Sequence, residues 1–146
     1  MLPVITECKT VSEVHDQNMV IQRQASDLVA EPVVQEGYMR SGQSPATAFI
    51  NVNSMARKRL ANIFPAVDWK DPLFERILVE ARLICAECIK RKYICRENRT
   101  PYDHLKDATI LIQKMVRDNF IKYSEFMKQL RGADETPKAL EELSHD

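Results

Sequence analysis

From Phe74 onward the apolar residues recur at helical spacing. Phe74, Ile77, Leu78, Ala81, Ile84, Cys85, Cys88, Ile89 and, further on, Cys95 project onto one side of a helix at about 100° per residue. Val79, Leu83 and Ile94 project onto the other. The pattern predicts a long amphipathic helix from Asp71 to about Asn98, with Asp71 as N-cap, Pro72 at the first helical position where no amide partner is needed, and Glu75 placing negative charge in the first turn. A helix that is apolar on two sides either runs through the middle of a bundle or is shared between a core and a partner chain.

A second long helix follows. Thr100 and Pro101 repeat the cap-then-proline signal, and Leu105, Ala108, Ile112, Met115, Val116, Phe120, Tyr123, Phe126, Met127 and Leu130 hold one phase as far as Gly132, the expected stop. Asn119 lies inside that stripe and leaves two readings open: a buried polar residue that fixes register, or a break between two helices. Upstream, a short helix is expected from Ser54 to Phe64, capped by Ser54 and ended by Pro65. Residues 1–53 read as a mostly irregular arm that carries Pro3, Pro32, Pro45, Gly37 and Gly42, with one short helix permitted between Ser12 and Pro32 through Val14, Ile21, Ala25 and Leu28. Beyond Gly132, Thr136 and Pro137 introduce a short acidic tail helix with Leu140 and Leu143.

Composition fits an all-α chain built on two long helices. Three glycines and one tryptophan in 146 residues do not suit a turn-rich β fold, and 45% hydrophobic residues suffice for one core. No run of about 18 apolar residues is present, and MLPVITECKT has neither a basic start nor a secretory hydrophobic stretch, so the expectation is a soluble intracellular protein, cytoplasmic or nuclear, with reduced thiols and no membrane partner. The zero net charge hides three blocks. Residues 1–53 carry a net −3, residues 54–131 a net +7 and residues 132–146 a net −4: an acidic arm, a basic helical core and an acidic tail.

Cys85, Cys88, Cys95 and His104 have the ligand types of a tetrahedral zinc site. The segment ICAECIKRKYIC resembles the first half of a fungal zinc-cluster DNA-binding domain, in which cysteines at this spacing flank a basic stretch. The second cysteine triplet of that family is missing. On one helix the three sulfurs would spread over roughly 15 Å of axis, too far for one zinc, so core packing is the expected role, with metal as the alternative. His15, His104 and His145 are scattered, and neither G-x-x-x-x-G-K-[ST] nor G-x-G-x-x-G occurs; no enzyme, cofactor or small-molecule substrate is expected.

Arg57, Lys58 and Arg59 with Lys90, Arg91, Lys92, Arg96 and Arg99 would form a phosphate-attracting patch if the short helix folded back near the end of the long one. The order short helix, long helix, basic loop, helix is also similar in layout to a histone fold, which implies pairing and nucleic acid as partner. The main expectation is a non-enzymatic helical module for protein-protein interaction or self-assembly, with Val79, Leu83, Ile94, Leu140 and Leu143 as its surface and itself or another helical protein as partner.

Overall fold

The computed structural model describes residues 2–95 and 101–144, with side chains other than those of 45, 95, 101–105 and 133–144. Every regular element among them is helical. A 3-10 turn at Ile5–Glu7 precedes α1 (Val11–Ala30), α2 (Pro32–Arg40), α3 (Pro45–Ile63), α4 (Pro72–Cys95) and α5 (Pro101–Ser144). The fold class expected from the apolar spacing is therefore present.

The middle of the bundle is α4. Leu73, Ile77, Leu78, Val79, Ala81, Leu83, Cys85, Ala86, Cys88 and Ile89 are all buried, and the other four helices pack against it. Its start matches the sequence signal: Asp71 Oδ1 accepts from the Leu73 amide at 2.9 Å. The α1 helix lies along α4 in parallel, since polar contacts climb both helices together, from His15 with Glu75 through Gln22 with Arg82 to Glu31 with Lys90. The other two long helices run antiparallel to α4. Phe64 at the end of α3 meets Phe74 near the start of α4, and on α5 Tyr123 meets Glu80 while Arg131 meets Asp71. Phe64, Phe74 and Phe120 close that end of the bundle, with ring centroids 5.1–6.4 Å apart.

The N-terminal 53 residues differ most from expectation: they are largely helical. Thr10, rather than Ser12, caps α1 by accepting from the Glu13 amide, while the Glu13 carboxylate accepts from the Lys9 amide just before the cap. The buried face of α1 is Val14, Asn18, Ile21, Ala25 and Val29, whose polar and small members dilute the apolar signal. Pro32 and Pro45 resemble loop punctuation but stand at the starts of α2 and α3, where a missing amide costs nothing. Gly42, at φ 75°, ends α2 in a left-handed turn, with the Gln43 amide bonded to the Tyr38 carbonyl. The Gly37 backbone meets the Tyr93 ring so closely that an added Cβ would overlap its Cδ1.

Three further boundaries move. The helix expected from Ser54 begins at Pro45, with Ser44 as its cap, so Arg57–Arg59 sit well inside it rather than at its start. No break occurs at Asn119, whose Nδ2 donates to the Met115 carbonyl one turn back inside a continuous α5. Nor does Gly132 stop α5, which continues to Ser144. A 19-residue α3 and an unbroken 44-residue α5 also depart from the histone-like layout. A buried asparagine occurs on α1 instead: Asn18 is fully buried, its Nδ2 donates to the Pro72 carbonyl at 3.1 Å, and its Oδ1 has no hydrogen-bond partner.

Candidate interaction surface

Val79 and Leu83 do not face outward. They are buried within the chain, Val79 completely, in a helix that α1 covers along its length. Their stripe is the second core face of a central helix. Ile94 is 52% exposed near the other end of α4, and the side chains of Leu140 and Leu143 lie outside the described residues.

The expected basic patch separates into two groups. Arg57 on α3 faces Arg82, and Arg59 faces Cys85, at the middle of α4. Lys90 lies eight positions beyond Arg82, about 12 Å along the axis. There Lys90 pairs with Glu31 at 2.8 Å and Lys92 lies 5.2 Å from the centroid of the Tyr93 ring. Arg91 is exposed in a shallow recess with Leu28, Glu87 and Ile94. Arg96 and Arg99 lie outside the described residues.

Cys85 and Cys88 are buried thiols in the core. Burial, and then the neighbouring Cys88, push the Cys85 thiol up to about 12, away from the thiolate a metal requires. The other two residues of the zinc alternative, Cys95 and His104, have side chains outside the described set. Among the described residues no three ligating side chains gather at one point.

Two arrangements escaped the sequence reading. The first is a groove of about 470 Å³ between α3 and α4, lined by Phe49, Ile50, Asn53, Ser54, Arg57, Lys58 and Arg82. Phe49 is 40% and Ile50 63% exposed, while the three cations have no carboxylate among the lining. Half-buried Arg82 donates from Nη1 to Gln22, but its Nε has no partner, and neither has the buried Oδ1 of Asn53. Burial first, and the Arg57 charge second, hold the Arg82 guanidinium below its ordinary value. The Glu75 charge opposes both, so the groove is an apolar step beside three cations of which Arg82 has a carboxylate within electrostatic range. A hint was present in the sequence: Phe49 and Ile50 belong to α3 only once its true start at Pro45 is known.

The second arrangement is internal. Arg76, 1% exposed, donates from Nε to Glu80 Oε1 at 3.3 Å, from Nη1 to Gln17 Oε1 at 2.9 Å, and from Nη2 to the Pro3 carbonyl. Tyr123 donates its hydroxyl to the same Glu80 oxygen at 3.0 Å and lies under the guanidinium, 5.9 Å from ring centroid to Cζ. Burial and the Glu80 charge raise the Tyr123 hydroxyl to about 12. One ion pair therefore ties α1, α4, α5 and the N-terminal segment together. The i, i+4 spacing of Arg76 and Glu80 also suits a solvated helix face, so only the three-dimensional packing distinguishes it.

Comparison with family models, with curated proteins and with solved structures finds no match to this chain.

Proposed function

We propose that the protein is a non-enzymatic helical module that assembles with itself or with another helical protein, and that the α3–α4 groove is its contact surface. The observation behind this reading is the exposure of Phe49 and Ile50 beside Arg57, Lys58 and Arg82 without a carboxylate in the lining. Covering a large aliphatic side chain is worth about 1.5–3 kcal/mol when burial is complete, and Ile50 retains more than half of that gain. The exposed cations Arg57 and Lys58 around such a step give a partner its charge requirement. Light scattering over a concentration series tests the reading: a mass above one chain that Ile50→Glu returns to one chain supports it. A wild-type monomer at the highest concentration refutes self-association.

Nucleic-acid contact is the second reading and draws on the same three cations. The protruding Ile50 favours a protein partner, because an aliphatic side chain offers neither stacking nor hydrogen bonds to a base. Duplex and single-stranded oligonucleotides at two salt concentrations decide between them, since phosphate contact weakens steeply with salt.

A further inference from the structure

Residues 2–8 lie across the bundle. Arg76, Glu80, Leu83 and Glu87 follow one another at spacings of four, three and four, so they form one stripe along α4. Leu2 shares a recess with Leu83 and Glu87, and the Pro3 carbonyl accepts from Arg76 Nη2. The segment therefore crosses the level of Glu80, on the stripe that Gln17 of α1 and Tyr123 of α5 also reach. Two anchors are apolar: Ile5 is 2% and Cys8 6% exposed, whereas Leu2 and Val4 are 44% and 45% exposed. Two are polar, and both come from side chains, Arg76 Nη2 to the Pro3 carbonyl and Gln17 Nε2 to the Val4 carbonyl at 3.1 Å. The segment's own backbone bonds stay inside its turn, from the Glu7 amide to the Val4 carbonyl and from the Cys8 amide to the Ile5 carbonyl. Beyond it, the Lys9 amide is held by Glu13 and Thr10 caps α1, which makes a firm pivot. By contrast, α1 rests on α4 through Val14, Asn18, Ile21, Ala25 and Val29, a longer seam than the one that holds the segment before it. On the stripe the segment crosses, Glu80 Oε2 is buried without a hydrogen-bond partner, so water admitted there would satisfy an oxygen that the packed arrangement leaves bare.

We propose that residues 2–8 are a detachable strap, which lifts as one unit from the Arg76–Glu80 stripe while α1 to α5 stay packed. The 3-10 turn joins Ile5 to Cys8, so the two apolar anchors leave together. Lifting exchanges the Pro3 carbonyl on Arg76 and the Val4 carbonyl on Gln17 for water, and it opens the driest charge pair of the molecule without unfolding it. Few buried residues and no long backbone ladder hold the strap, the conditions under which a segment opens below the free energy of global unfolding. The Cys8 thiol reports the motion, because burial in the seated strap raises it above its ordinary value and shields it from reagents. The device is separate from the α3–α4 groove. Arg82 and Cys85, which face α3, each stand two positions beyond Glu80 and Leu83, about 200° round α4 from the strap.

Alkylation of the native full chain by N-ethylmaleimide, resolved thiol by thiol by peptide mass spectrometry, tests this. Rates are taken where they are first order in reagent and are divided by those of the urea-unfolded chain, so that they report the open fraction. Cys8 is expected to react at least about tenfold faster than Cys85, and below the unfolding transition its rate should barely change with urea, while that of Cys85 climbs. Ile5→Ala removes the main apolar anchor and should speed Cys8 about tenfold or more. Leu60→Ala, in the buried face of α3, weakens the bundle equally whether the strap is seated or lifted, so it should speed Cys85 and leave Cys8 unchanged. Equal urea dependence at the two thiols, or a Leu60→Ala variant that speeds both alike, identifies global unfolding as the only opening and overturns the proposal. An Ile5→Ala variant with an unchanged Cys8 rate also overturns it, because the thiol is then reached without lifting. If Leu60→Ala no longer melts cooperatively, the milder Val52→Ala on the same helix takes its place, with the same outcomes.

Discussion

Replacing Arg76 with methionine removes a cation from the driest part of the bundle and leaves Glu80 behind. Methionine follows a similar path to the arginine stem but supplies none of the bonds to Glu80, Gln17 and the Pro3 carbonyl. Loss of one partner from a buried ion pair costs about 3–5 kcal/mol, a large share of the 5–15 kcal/mol that typically holds a domain folded. The cost must depend on pH. Burial already lifts the Glu80 carboxyl above its ordinary value, against the opposing pull of the Arg76 charge, the Tyr123 hydroxyl and the Arg76 hydrogen bond. Without Arg76, two of those three restraints disappear and Glu80 titrates higher still. A carboxyl raised in the folded state gives stability that is fully present below its unfolded pKa and is lost as pH rises through its folded pKa. That loss begins at the same unfolded pKa in both proteins, but in the variant it continues to a higher pH than in wild type. As pH falls through the window between the two folded values, the variant should regain about 1.4 kcal/mol per pH unit relative to wild type, with a constant gap on either side. Urea unfolding followed by circular dichroism, from about pH 8 to about pH 5, measures this. The same Arg76→Met step in a Glu80→Gln background should show no such recovery. A gap that stays flat with pH while Glu80 is present would refute the reasoning.

Three other outcomes are expected. Gly37→Ala should lower the melting temperature, because its Cβ must displace the Tyr93 ring that also packs on Tyr38; overpacking of about 1–3 kcal/mol exceeds the roughly 1 kcal/mol gained in helix propensity, and a rise in melting temperature would show that the contact is not tight. Asp71→Ala should cost about 1–2 kcal/mol in urea unfolding through the lost cap on Leu73 and the lost pair with Arg131, whereas Asp71→Asn, which keeps a capping oxygen, should cost less. Cys85, raised to about 12 and buried, should resist thiol-specific reagents in the native protein and react once urea unfolds it; free-thiol rates in the native state would contradict its placement.

The legibility of the chain followed the strength of each local signal. Asp71, Pro72 and a dense apolar run made α4 plain, and its two-sided pattern stated the right alternatives, a bundle middle or a shared interface. The choice between them depended on α1, which was hard to see. A buried face that includes Asn18 and Ala25 has little hydrophobic contrast, yet it suffices because α4 supplies the apolar partner. Hence Val79 and Leu83 read as outward-facing when they are the seam with α1. The basic groups separated because the end of α3 is held at Phe74, so Arg57, seven residues before Phe64, stands level with Arg82 and away from Lys90. Arg76 and Glu80 were invisible as core because a charge pair one turn apart has the same spacing on a wet face as in a dry one.

The parallel seam between α1 and α4 also sets a timetable. His15 and Gln22 meet partners 60 positions further along the chain, Glu75 and Arg82. At synthesis rates of about 5–20 residues per second, the apolar face of Val14, Ile21, Ala25 and Val29 waits about 3–12 s for the helix that covers it. The α3–α4 hairpin has no comparable delay, since the contacts between its helices, Phe64 with Phe74 among them, lie close in sequence. The α4–α5 seam waits as long, since Arg131 meets Asp71 60 positions back, and until α4 is made the apolar face of α1 is a surface that chaperones and proteases can reach.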